Sequence, residues 1–179
     1  MKNIILIGMK NSGKSTLAKK ISEHFKMNLI KLDNELEKNH FQKTQEHLTF
    51  REIHKKYGAE YFQSLDHEVL NSIISNNIEN CVIDCGGSTP LQENNQKLLK
   101  QLGNIIFINL ENKINLERIL KNGIPPFFKY QNDPQKSFDE LIKIRLPIYK
   151  KIADFEIKCS NESTDKLLRL IIKLPILNI

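Results

Sequence analysis

Nine residues near the amino terminus, Gly8-Met9-Lys10-Asn11-Ser12-Gly13-Lys14-Ser15-Thr16, have the types and spacing of a polyphosphate cradle. The pattern is G-x-x-x-x-G-K-[ST], the P-loop. In such a loop Lys14 reaches the β- and γ-phosphates of a nucleoside triphosphate, and the Ser15 hydroxyl holds Mg²⁺. Asn11, Ser12, Gly13, Lys14, Ser15 and Thr16 are therefore the candidate ATP contacts, Lys14 is also a candidate catalytic group, and Ser15 a candidate metal ligand. The cradle needs a helix whose first N–H groups, unsatisfied within the helix, point at the loop. Both flanks fit. Ile4-Ile5-Leu6-Ile7 is a short apolar run suited to a strand buried on both faces, and Leu17, Ala18, Ile21 and Phe25 recur at helical spacing.

A P-loop identifies a nucleotide but no reaction, so the other strand ends must decide. Asp33 follows the apolar run Asn28–Leu32. A carboxylate there accepts the proton of an attacking hydroxyl or orients it, as phosphoryl transfer requires. The alternative is an N-cap for the next helix. Cys81-Val82-Ile83-Asp84 is another buried strand, and it ends in a second glycine turn, Cys85-Gly86-Gly87-Ser88.

The periodicity predicts strands over 2–7, 28–32, 81–84, 105–110 and 155–159. Helices are predicted over 14–26, from 35 to 39, over 49–57 with Gly58 as the stop, and over 59–75, 91–102, 114–121, 138–153 and 165–174, with Pro147 bending the one before last. Polar residues 39–46 read as a loop, and Gly123 to Lys136, which has no sustained period, as a longer one with the character of a lid. Strands alternating with helices imply a three-layer α/β/α architecture around a central parallel sheet. Sites in such sheets lie beyond the carboxyl ends of the strands, which gathers the P-loop, Asp33 and the Asp84–Ser88 turn at one rim.

Composition narrows the class. The chain has 179 residues, 40% hydrophobic and 27% charged, which fits one soluble domain over 1–179. The formal charge of +6 is carried almost wholly by scattered lysines, and the arginines are Arg51, Arg118, Arg145 and Arg169. Without a basic tail or an aromatic-rich basic stripe, nothing points to nucleic acid. No apolar run reaches the length of a membrane span, and the chain enters a strand pattern at once, so a cytoplasmic protein with no membrane partner is expected. Cys81, Cys85 and Cys159 form neither a zinc pattern nor a disulfide framework and read as buried thiols. His24, His40, His47, His54 and His67 share no ligand spacing and read as surface or packing residues.

The ordered features resemble the shikimate kinase family, small P-loop kinases related in fold to adenylate kinase. They are the Gly8–Thr16 loop, Asp33-Asn34-Glu35-Leu36-Glu37, Gly58-Ala59-Glu60-Tyr61-Phe62, Gly86-Gly87, Pro125-Pro126-Phe127 and Arg145-x-x-x-Tyr149-x-x-x-Ala153. The resemblance implies a P-loop NTPase fold of the nucleoside-monophosphate-kinase type and a lid at about 123–136. It implies ATP- and Mg²⁺-dependent transfer of a γ-phosphoryl group to the 3-hydroxyl of shikimate, a step in aromatic amino-acid biosynthesis, by a monomer. It assigns Asp33 to the acceptor hydroxyl, Gly86 and Gly87 to the substrate through the backbone, and Arg145 to the substrate carboxylate, which a planar guanidinium can grip bidentately. Arg118 resembles the residue stacked on adenine, and Ser160–Thr164 the loop closing over that base.

The departures from the family pattern carry information too. Lys31 stands where a metal-side aspartate belongs, Gln63 where a carboxylate-binding arginine belongs, Ser88 at a third glycine, and Ile124 at the lid arginine. Lys121 and Lys129 are candidate replacements for that arginine. Val82-Ile83-Asp84 has the Walker B form, so Asp84 is expected to take over metal positioning from position 31, the alternative being a turn or capping aspartate. Asp66 aligns with a family acidic position, although it and Glu68 also fit a solvated face. Two further readings stay open: a kinase for another hydroxylated metabolite, and a nucleotide-binding protein with degenerate catalysis.

Overall fold

The computed structural model describes residues 2–121 and 123–175. Five parallel strands form one sheet in the order β2-β3-β1-β4-β5, with β1 Asn3–Ile7, β2 Asn28–Lys31, β3 Cys81–Asp84, β4 Gly103–Leu110 and β5 Phe155–Cys159. Every residue of β1 is buried, as its uninterrupted apolar sequence requires of a central strand. Alternate residues face opposite layers: Ile4 and Leu6 pack with α1 (Lys14–Phe25) and α7 (Thr164–Ile172). Ile5 and Ile7 pack with α3 (Phe50–Ser75), α4 (Glu93–Leu102) and α6 (Pro134–Ile152). The expected three layers are present, and Cys81, Cys85 and Cys159 are buried free thiols within them.

The helices begin and end where local chemistry permits. Thr49 and Glu52 form a reciprocal capping box at the start of α3, and Gly58 (φ 82°, ψ 178°) breaks that helix into two arms. Only glycine adopts that conformation at little cost, so the predicted stop appears as a kink. Asp133 caps α6 through the Lys136 amide, with Pro134 as the first helical residue. The helix therefore starts four residues before the predicted 138, shortening the lid-like loop, and it carries Pro147 in its interior.

Two other expectations are corrected. Residues 39–44 are not loop, because α2 runs Leu32–Thr44. Its buried face includes His40, which is fully enclosed and bonded to Tyr61 Oη at 3.0 Å. A polar side chain in a buried slot conceals the helical period. Residue 91 is not helical either: a 3-10 turn over Thr89–Leu91 precedes α4.

Candidate functional site

The P-loop connects β1 to α1. Gly8 has φ 145°, and a methyl group there would sit 2.6 Å from the Ile108 carbonyl oxygen, so the crossing against β4 excludes any side chain. Gly13 (φ 94°) is the left-handed residue that turns the chain into α1. Lys14 curls back over the loop and donates to the Gly8 and Met9 carbonyls at 3.0 and 2.8 Å. Burial pushes its ammonium down, while Asp84, Cys85 and Asp33 oppose that and Arg145 adds to it. Ser15 and Thr16 are exposed in the first turn of α1, and the buried Ser12 hydroxyl has no hydrogen-bond partner among the described residues.

Helix α5 (Asn112–Leu120) braces the loop from the side. Asn115 Nδ2 donates to the Lys10 carbonyl at 2.8 Å, and Asn11 Nδ2 donates to the Arg118 carbonyl at 3.0 Å. The Arg118 guanidinium lies 4.0 Å from where a Gly13 methyl would stand, alongside the loop. Ser160–Thr164 joins β5 to α7, on the same side of β1 as α5.

The carboxylates converge from β2 and β3. Asp33 is not the N-cap of α2, a position held by Lys31; it lies in the first turn, beyond the end of β2. Its carboxyl is raised to about 6, first by burial and then by Asp84, against the pull of Lys14. Asp84 ends β3, nearly enclosed, in register with Lys31 of β2 and Leu6 of β1. Val82 faces α1 and Ile83 the opposite layer, so alternation turns Asp84 toward α1, whose first turn carries Ser15. Lys31 is exposed.

The second glycine turn joins these banks. A methyl at Gly86 would lie 3.4 Å from Asp33 Oδ1; one at Gly87 would lie 3.3 Å from Arg145 Nη1 and 3.5 Å from the Gly8 carbonyl oxygen. Arg145 is half-buried, and its Nε has no hydrogen-bond partner among the described residues. One turn later on the same face of α6, Tyr149 donates its hydroxyl to the Gly87 carbonyl at 2.5 Å. Burial pushes that phenol up to about 12, so it stays a donor.

Asp66 is not on a solvated face. It is buried in α3, accepts from Thr89 Oγ1 at 3.1 Å, and is pushed up to about 7 by its burial. Glu68 is half-buried and pairs with Lys43. Gln63 and Ile124 are both exposed, and Lys129 is drawn outward to Glu140 at 3.8 Å. In the lid-like loop Phe128 is buried in the core, while Phe127 lies under the Lys10 ammonium, 5.3 Å from ring centroid to nitrogen. Lys10, Arg51 and Asn115 were not singled out from sequence. Asn115 had a signal, being polar on the buried face of an amphipathic helix; Lys10 and Arg51 had none beyond charge.

The fit to Mg²⁺ rests on the donor set. Among the described residues no group of three or more His, Cys, Asp or Glu side chains could hold a metal ion, which excludes an all-protein cage. One hydroxyl and one carboxylate, Ser15 and Asp84, suit an ion that keeps most of its waters and shares phosphate oxygens.

Comparison with known proteins gives a consistent picture. The sequence pattern of shikimate kinase matches residues 10–174. A shikimate kinase of Clostridium botulinum (strain 657 / Type Ba4) is 32% identical, over 96% of this chain and 95% of that protein. One from Caldanaerobacter subterraneus is 31% identical, over 97% of this chain and 95% of its own length. Among solved structures, the shikimate kinase of Acinetobacter baumannii in complex with shikimate superposes with a TM-score of 0.85 at 26% identity, covering 99% of this chain and 94% of that one. That of Aquifex aeolicus gives 0.73 at 27% identity, covering 95% and 93%.

Proposed function

The chain belongs to the shikimate kinase family, ATP-dependent phosphotransferases with an alcohol group as acceptor, and from that premise we propose how its own residues carry the reaction. The observation that supports the reading is the Gly86-Gly87 turn, where a methyl group on either glycine would lie 3.3 to 3.5 Å from Asp33, Arg145 or the P-loop carbonyl of Gly8. An acceptor resting on that turn has a carboxylate beside its hydroxyl, a guanidinium for its acid group, and the phosphate cradle next to it.

In this reading Asn11 to Thr16 bind the triphosphate and Arg118 flanks the base. Lys14 leaves the loop carbonyls for the phosphates. Asp33 orients the 3-hydroxyl of shikimate and accepts its proton, for which a carboxyl pushed up to about 6 is better matched than an ordinary one. Gly87 meets the acceptor through its backbone, beside Gly86. Arg145 pairs with the acceptor carboxylate, its Nε having no hydrogen-bond partner among the described residues. Ser15 and Asp84 hold Mg²⁺, which when bound neutralises charge on the transferring phosphoryl group. The segment from Gly123 closes over the site and excludes water, limiting hydrolysis.

The protein acts as one P-loop kinase domain, a monomer in the cytoplasm. In support, none of the described helices is long and apolar enough to cross a membrane. Among the described residues the large exposed apolar side chains Ile78, Ile144 and Leu170 lie on separate segments, and Ile124 and Phe127 lie together in the lid-like loop. Coupled ADP release with and without shikimate tests the reading. Shikimate-dependent release is expected, and release indifferent to shikimate overturns it.

A further inference from the structure

Two cations at the rim have no role in the reaction as described. Lys10 lies within the P-loop, its carbonyl fixed by Asn115 and its ammonium half-buried over Phe127 of the lid-like segment. Arg51 lies in the first turn of α3, its guanidinium carbon 5.3 Å from the Phe50 ring centroid. That turn is docked on the acceptor side. Glu37, one helical turn beyond Asp33 on α2, accepts the Phe50 amide at 2.9 Å. Among the described residues neither Lys10, Arg51 nor Arg145 has a carboxylate within 4.0 Å.

This arrangement is electrostatically unfavourable by itself. A cation in the first turn of a helix opposes the helix dipole. Burial, and after it Arg51, pushes the Lys10 ammonium down, and Arg51 also pulls the Asp33 carboxyl down against its burial. An anion bound among these cations reverses each of those penalties. Meanwhile Gln63 contributes no charge, and Lys129 is engaged by Glu140.

We propose that Lys10 and Arg51 join Arg145 in holding the carboxylate of the acceptor, supplying from the P-loop and from the start of α3 the charge that position 63 lacks. The proposal rests on the reading of the acceptor as an anionic alcohol. It makes the cationic wall of the pocket a device of this chain rather than of the arginine positions usual in the family. It also links acceptor charge to closure, because the Lys10 ammonium touches the lid-like segment through Phe127.

Calorimetry on the full chain tests it, with shikimate, its uncharged methyl ester and ATP as separate probes, for wild type, Lys10→Met, Arg51→Gln and the double variant. Thermal melts verify folding. Each single change weakens shikimate binding by about tenfold, as expected for loss of one charge-assisted contact, the double change weakens it further, and ester and ATP affinities stay unchanged. Unaltered shikimate affinity overturns the proposal. So does equal loss for the ester, or a loss confined to ATP, which would assign Lys10 to the nucleotide. If wild type binds quinate or another hydroxy acid in place of shikimate and the variants lose it likewise, the clamp stands and the shikimate reading falls. Wild type that binds no hydroxy acid overturns both.

Discussion

On the proposed nucleotide bank the binding groups are mostly backbone amides of one short loop, braced by Asn11 and Asn115 against α5 and turned by Gly8 and Gly13. On the proposed acceptor bank they are side chains from four places: Asp33 on α2, Arg51 on α3, Lys10 in the loop and Arg145 on α6. The first bank is specified by a contiguous motif, because backbone geometry at a helix N-terminus depends on local sequence. The second is specified by tertiary packing, so charge can be redistributed among positions provided it returns to the same pocket. That contrast accounts for a chain that keeps the whole P-loop pattern yet has an uncharged Gln63 near the start of the second arm of α3.

The sharpest way to break this contrast is at the carboxylate between the banks. Asp33→Asn lowers kcat by roughly 10²- to 10⁴-fold while ATP affinity is retained, as loss of a positioned base implies; a fall in ATP affinity of similar size would place Asp33 on the nucleotide bank instead. Arg145→Met weakens shikimate binding by about ten- to a hundredfold and leaves ATP binding alone, measured by calorimetry. Equal loss for both ligands would erase the distinction between the banks.

Asp84→Asn has a smaller effect with two signatures. The Mg²⁺ concentration for half-maximal rate rises by roughly tenfold, the scale on which polar partners of a metal site act. The acid limb of kcat/KM, near pH 6 in the wild type because ionised Asp33 is the active form, moves to lower pH, since Asp84 is one of the groups holding the Asp33 carboxyl up. Unchanged Mg²⁺ dependence would remove Asp84 from the metal's surroundings.

The mildest expected effect is on stability. Asp66 is held near 7 in the fold, so on raising pH from about 4 the unfolded chain ionises it first. The native state is increasingly penalised until pH passes 7. Asp66→Asn keeps an acceptor for Thr89 and lacks the penalty, so it raises Tm by roughly 3 °C at pH 8 and by less at pH 5. An equal shift at both pH values would contradict the raised carboxyl.

The nucleotide bank was legible in the sequence because Gly8, Gly13, Lys14 and Ser15 act within one loop. The sheet was legible because β1, β3 and β4 carry short continuous apolar runs, β1 leading straight into Gly8 and β3 ending at Asp84. Residues 39–44 of α2 were not, since His40 fills a slot that hydrophobic periodicity assigns to an apolar residue. The start of α6 carried a local signal, Asp133-Pro134, that the missing period obscured. Asp66 read equally well as solvated until the turn bearing Thr89 was folded over it. Lys10 and Arg51 are 41 positions apart, and the start of α3 is held on α2 by the Glu37–Phe50 bond, which no local pattern encodes.

The central claim, that this rim transfers a phosphoryl group to an alcohol held over Gly87, is tested most directly by following ATP and shikimate with the protein by ³¹P NMR. A new phosphomonoester resonance, coupled to the proton at carbon 3 of shikimate and lost in Asp33→Asn, is the predicted result. Conversion of ATP to ADP and inorganic phosphate alone, at the same rate in both proteins, would contradict it.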